Sequence, residues 1–458
     1  MYVPSPYSIF KDVYKLDPGC ILQIDNDGIN KPPSRIMSSA FCAKGVSIKQ
    51  WYSLSNIAEK SQHNLIKDKH ESVELLEKAL TESIQSQLIS DVSLGAFLSG
   101  GIDSSIIVSL MQSISMNPVK TFTIGFEDSL FNEAIYAKDV AKHLGTEHHE
   151  LYVTASDAIR VIPDLPILYD EPFADSSQIP TYLVSKLARE NVTVSLSGDG
   201  GDELFGGYNR YLWGERVWSK LKWMPPVVRQ TLGAIIQKLP VSTLDTVGHL
   251  LPNRYKVTTM GDKAHRMAHR LNIVNTIDDM YRSLVTEGFN EESMVYSDDF
   301  ILKTKLDEPS IAVGIDGSAQ RMMLWDALTY LPDDILTKVD RAAMGVSLET
   351  RVPFLDHRVA EIAWRMPLDI KINNGVGKWP VRQVLYKYVP KKLVERPKAG
   401  FSIPVGQWMR DPLREWADDL LDESRMQSQG YFNHKLVRKI WDQHLNGSYD
   451  WTSKLWAI

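Results

Sequence analysis

Two short stretches of this chain combine residue types suited to phosphate and metal. Residues 99–105 read Ser-Gly-Gly-Ile-Asp-Ser-Ser. Two glycines let the backbone approach an anion closely, and a helix opening there would aim unpaired N–H groups and its positive dipole end at one point. Neither the Walker spacing nor Gly-x-Gly-x-x-Gly is matched, and the loop holds no lysine. Neutralising phosphate therefore falls to backbone amides, hydroxyls and a metal that Asp103 is placed to hold. The second stretch, residues 195–208, is glycine-rich and carries Asp199, Asp202 and Glu203. Such a run is costly to stability unless backbone and carboxylates must come close to something. A helix starting near Gly200 would send Asp199 and Asp202 to nearly the same side, one carboxylate for a metal and one for proton handling.

The elements around these loops are legible. Val73, Leu76, Leu80, Ile84 and Leu88 recur at helical spacing from Glu71. The pattern then alternates: strand 92–98, helix 106–114, strand 121–126, helix 132–144, strand 148–153, helix 179–189, strand 193–197. Alternating β and α elements predict an α/β fold, a doubly wound and mostly parallel sheet with helices on both faces. In such a sheet, loops at the carboxyl ends of strands share one edge, so the two stretches can meet across nearly a hundred residues. After Tyr211 the strand signal fades into a largely helical C-terminal portion that includes 320–330 and 381–388. Residues 1–55 are rich in turn formers around short strands such as 20–24, and 58–68 is polar and aperiodic, a linker. The expected boundaries are 1–57, a linker at 58–70, a core at 71–210, and helices at 211–458.

Length, charge and cysteine content narrow the function classes. The 458 residues include 43% apolar and 24% charged residues, which excludes a disordered or low-complexity chain. A net charge of −6 gives no overall field toward nucleic acid or an anionic membrane. Only Cys20 and Cys42 are present, so there is no disulfide framework, and both read as small buried hydrophobes. With no apolar leader and no long apolar run, the expected setting is cytoplasmic, without membrane or nucleic-acid partners. His148 and His149 are adjacent on a strand and face opposite ways, so they do not share an ion.

Residues 99–105 resemble the pyrophosphate loop of the ATP-pyrophosphatase superfamily. Residues 197–208 with 348–356 resemble the synthetase domain of asparagine synthetases, and the likeness continues through 331–341 and 396–402. The resemblance implies a two-step reaction. ATP adenylates the side-chain carboxylate of aspartate, releasing pyrophosphate, and ammonia then displaces AMP. It also implies that Ser99, Gly100, Gly101, Asp103 and Ser104 cradle the β,γ-phosphates, that Asp103 and Asp202 hold magnesium, and that Leu98, Ile124, Ser197 and Gly198 contact the adenosine. Asp199 matches an acidic position that handles protons, although well-known members carry Glu there. Lys398 matches a lysine that stabilises charge on the α-phosphate.

Full-length members begin with a glutaminase domain whose nucleophile is a cysteine directly after the initiator methionine. Here residue 2 is Tyr2, and residues 6–19 resemble only the last strands of that domain. Residues 451–458 stop inside an apolar helical pattern. The expectation is a truncated chain, or one that uses free ammonia or ammonia from a separate glutaminase. A homodimer stays open, as do a different acceptor, such as a uronic acid of a polysaccharide, and a non-catalytic remnant.

Overall fold

The turn-rich start of the chain forms a small antiparallel sheet. Its strands are β1 (Cys20–Ile24), β2 (Cys42–Ala43) and β3 (Val46–Gln50), in the order β1-β3-β2, with Cys20 opposite Gln50 and Ile24 opposite Val46. The computed structural model describes residues 1–30, 41–43, 45–126, 132–241, 243–244, 246, 260–286, 293–296, 303–312, 314–396 and 403–458. Two compact units are present, Met1–Tyr208 with Lys303–Ile403, and Asn209–Leu302 with Pro404–Ile458.

In the first unit the alternating pattern becomes a parallel sheet of β4 (Leu94–Phe97), β5 (Lys120–Phe126), β6 (Glu147–Val153), β7 (Val194–Leu196) and β8 (Glu349–Arg351). The order is β6-β5-β4-β7-β8, and every adjacent pair runs parallel. Residues 121–126 of β5 are all buried, and because neighbours on a strand face opposite ways, both faces of the sheet are covered. Helices Ala134–Leu144 and Gln178–Arg189 pack on β5, and Ile102–Ile114 packs on β4. The chain goes from β4 out to β6 and then returns to the other side of β4 to form β7. The carboxyl ends of β4 and β7 thus lie at the switch in winding direction, where open α/β sheets bind ligands.

Several readings shift in detail. Helix Lys69–Gln87 starts two residues before Glu71 because Asp68 caps it, accepting from Glu71 N–H at 2.8 Å, a contact worth about 1 kcal/mol. Val73, Leu76, Leu80 and Ile84 are buried as the spacing requires. The stretch expected to be a linker is helical in its first part. Helix Leu54–Ser61 is capped by Ser53 and buries Ala58 completely, and Ile66 beyond it is buried too. Its apolar positions straddle the start of the polar run, which hid the periodicity. The fading strand signal after Tyr211 missed β8, a three-residue edge strand too short to alternate visibly. The cysteines are not buried: Cys20 is partly exposed and Cys42 exposed. β1 is largely open, with Ile21 and Leu22 exposed, so its apolar residues did not signal a core.

The second unit consists mainly of helices, among them Asn209–Leu221, Pro226–Lys238, Met260–Ile273, Ile277–Val285, His434–Leu445 and Thr452–Trp456. No helix among the described residues is long and apolar enough to cross a membrane.

Candidate active site

Residues 98–101 leave the end of β4 and turn into helix Ile102–Ile114. Gly100 makes that turn at φ +72°, where a side chain would also strike the backbone of Tyr136 and Ala137. Inside the loop, Ser104 Oγ accepts from Ser99 N–H at 3.1 Å, and Ser99 Oγ accepts from Gly101 N–H at 3.2 Å. The helix has no side-chain cap at Gly101. Two of the loop amides are therefore already held by hydroxyls, and the first-turn amides of the helix supply the anion-facing end.

Residues 197–200 leave β7, and the short helix Gly201–Phe205 follows. The two loops touch. A Cβ on Gly198 would come within 2.8 Å of Asp103 C and Ser104 N, so only glycine allows the acidic loop to lie this close.

The two metal candidates converge on a residue that the sequence reading did not select. Lys378 Nζ pairs with Asp202 Oδ1 at 2.7 Å and also with Asp103 Oδ2. The ammonium is nearly buried, and the two carboxylates are mostly buried. Burial alone would push the Lys378 pKa down, but Asp103 and Asp202 outweigh it and hold the pKa above the usual lysine range. Lys378 reaches this point because its backbone takes the left-handed conformation at φ +58° and its N–H donates to Phe205 O at 2.9 Å, at the end of helix Gly201–Phe205. A left-handed lysine costs of order 1 kcal/mol, which the surrounding contacts must over-determine. The signal was present in Asn373-Asn374-Gly375-Val376-Gly377-Lys378, a turn-rich run just before a helix.

Asp199 has other partners. Ser197 Oγ donates to its Oδ2 at 2.5 Å. Burial raises the Asp199 pKa, opposed by that hydrogen bond and by the charge of Lys338. Lys338 is buried and donates to Asp175 Oδ2 and Ser177 Oγ, both at 2.8 Å. Burial works against the Asp175 charge, but Lys338 prevails and holds its pKa down to about 2. Burial, followed by the charge of Asp175, lifts Asp334 to about 7. Glu203 is buried and accepts from Tyr208 OH at 2.7 Å. Burial, with Asp202 beside it, raises its pKa to about 8. Of the expected Asp199 and Asp202 pair, Asp202 is ion-paired with Lys378, while Asp199 is held by Ser197, and the two acids feel each other.

Leu98 and Ile124 are 1% and 2% exposed, members of the core beneath the loops. Lys398 lies outside the described residues. Arg396, at the edge of the described residues, donates to Ser99 O at 3.1 Å and pairs with Glu133 at 3.2 Å, so Arg396 is fixed to the glycine-rich loop. His148 and His149 are engaged separately, His148 with Thr121 at 2.8 Å and His149 with Glu147 at 3.2 Å. Among the described residues no group of three or more His, Cys, Asp or Glu gathers as a metal cage. Two carboxylates at one point fit a hard cation whose other ligands come from substrate phosphates, the usual arrangement for magnesium.

Comparison with known proteins gives the family. The family described as Asparagine synthase matches residues 75–458. The chain belongs to that family. Asparagine synthetase [glutamine-hydrolyzing] 1 of Bacillus subtilis is 30% identical over 460 residues, covering 100% of this chain and 66% of that protein. A putative asparagine synthetase [glutamine-hydrolyzing] of Mycobacterium tuberculosis is 31% identical over 468 residues, covering 100% of this chain and 64% of that protein. The bovine asparagine synthetase [glutamine-hydrolyzing] is 24% identical over 404 residues, 82% of this chain and 53% of that protein. The chain thus spans about two thirds or less of the length of these family members.

Proposed function

We propose that this chain uses ATP to activate a carboxylate and then amidates it. The carboxylate is the side chain of aspartate, which passes through β-aspartyl-AMP to asparagine with release of pyrophosphate and AMP. The observation that carries this reading is the convergence of Asp103 and Asp202, from loops after two adjacent parallel strands, on the single ammonium of Lys378. Magnesium held by these two carboxylates and the triphosphate would neutralise charge on the leaving pyrophosphate. Lys378 keeps the carboxylates together before substrate arrives. The first-turn amides of helix Ile102–Ile114, with Ser99, Gly100, Gly101 and Ser104, bind phosphate oxygens. Leu98 and Ile124 support the adenosine side from the core, and Ser197 and Gly198 border it. Lys398, following the anchored Arg396, stabilises charge on the α-phosphate.

In the second step the ammonia nitrogen bonds to the activated carbon, the bond to AMP breaks, and Asp199 accepts the proton. Burial favours the protonated Asp199 that results, while Ser197 and Lys338 favour the ionised carboxylate that must be present beforehand. Ammonia comes from solution or from a separate glutaminase, and the enzyme works in the cytoplasm.

The test is pyrophosphate release from ATP and magnesium with ammonia, comparing aspartate, a uronic acid and no acceptor. Release that depends on aspartate, with asparagine as product, is expected. Release with the uronic acid only would move the acceptor assignment, and no release with any acceptor would overturn the enzymatic reading.

A further inference from the structure

The second unit contains a cavity of about 430 Å³ that the proposed reaction does not use. Among its described lining residues six are basic, namely His265, Arg266, His269, Arg270, Lys439 and Lys454, and one, Asp450, is acidic. The chain as a whole is acidic, at −6, so this concentration does not follow from composition. Four of the six stand on one helix, Met260–Ile273, with Arg266 and Arg270 four residues apart. Like charges at that spacing weaken a helix.

Other contacts shape the cavity. Arg266 donates to Asp450 O at 2.9 Å, and His265 donates to Leu239 O at 2.8 Å. The Asp450 carboxylate accepts from Thr452 Oγ1 at 2.5 Å. Lys454 is 9% exposed and lies over the Trp451 ring, 4.8 Å from its centroid. Ile273, Leu284 and Ile440 supply apolar wall. Apolar wall with a few convergent polar groups, in a volume within the ordinary range for small-molecule sites, describes a recess that is open to solvent on the side of Arg266 and Lys439. A recess of about 430 Å³ has room for a small anion and not for the several nucleotides that a single-strand track holds.

We propose that this cavity binds a small multivalent anion of the phosphate class, held mainly by the guanidinium groups of Arg266 and Arg270 and the ammonium groups of Lys439 and Lys454. Guanidinium and ammonium donors form their strongest hydrogen bonds to such anions. The site is independent of the loops at Asp103 and Asp202.

The experiment is isothermal titration calorimetry of the full chain with tripolyphosphate, without magnesium and at low salt. Saturable binding of one tripolyphosphate that weakens as salt rises is expected. The double variant Arg266→Glu/Lys439→Glu changes two exposed side chains and should lose more than about tenfold in affinity, the loss of at least one charge-assisted contact, while keeping its magnesium-dependent ATP binding. Lys439→Gln, a milder change, should weaken binding severalfold with an unaltered circular dichroism spectrum. Asp103→Asn should leave tripolyphosphate affinity unchanged, whatever it does to ATP. No saturable binding up to millimolar tripolyphosphate would overturn the proposal, as would equal affinity in the double variant. Citrate binding as tightly as tripolyphosphate would overturn the phosphate assignment.

Discussion

Lys371 is fully buried, and among the described residues its ammonium has no hydrogen-bond or ion-pair partner; its nitrogen lies 4.6 Å from the centre of the Trp364 ring. Burial pushes its pKa from 10.5 down to about 7. A folded pKa below the unfolded one means that the unfolded chain binds the extra proton between pH 7 and 10.5, so this residue makes stability rise with pH across that window. Each unit of pKa is worth about 1.4 kcal/mol, so the lysine costs about 5 kcal/mol below pH 7, about 3 kcal/mol at pH 8, and almost nothing above pH 10.5. Lys371→Met keeps the chain length and removes the charge. The variant is expected to be more stable than the parent by about 4 kcal/mol at pH 6, with the gain shrinking to about 1 kcal/mol by pH 9.5, after allowance for the lost contact with Trp364. Urea denaturation of both proteins at pH 6, 8 and 9.5, followed by circular dichroism, measures the difference, and taking the difference cancels every other titrating group. A variant that is less stable at pH 6, or a gain that does not change with pH, would refute the reasoning.

Two further substitutions probe the site. Lys378→Met leaves Asp103 and Asp202 facing each other without their shared cation, which should destabilise the fold by about 3 kcal/mol. Magnesium should raise the melting temperature of this variant more than that of the parent, and an equal response in thermal melts would contradict a shared cation position. Gly198→Ala puts a methyl 2.8 Å from the backbone of Asp103 and Ser104. It should cut pyrophosphate release at least about a hundredfold by pushing the loops apart, with a circular dichroism spectrum like the parent's; activity within twofold of the parent would show that the contact is not needed.

Much of the sheet was legible because its strands are short apolar runs set between strongly periodic helices. The glycine-rich loop and the acidic loop stood out for a related reason: glycines and acids at that density have few uses. The strands that follow a regular alternation, at 94–97, 120–126, 147–153 and 194–196, were found with small errors at their ends. β8 escaped because three residues carry no period, and helix Leu54–Ser61 escaped because a polar surface face masked its buried side. The roles of Lys378 and Lys338 were missed for a different reason. The turn-rich run before Lys378 and the 331–341 stretch around Lys338 mark their surroundings but not their partners, which are long-range: Asp103 lies 275 positions from Lys378, and Asp175 lies 163 from Lys338. Cys20 and Cys42 show the reverse error, a residue type that is usually buried placed on an open sheet.

The central claim is that carboxylates from two separate loops act at one point on a metal-bound triphosphate. A double-mutant cycle on magnesium-dependent ATP binding, using Asp103→Asn, Asp202→Asn and the pair, tests it most directly. If both groups serve one ion, the second substitution should cost little once the first is made, giving a coupling of at least about 1 kcal/mol. Losses that simply add, or ATP affinity unchanged in either single variant, would contradict the account.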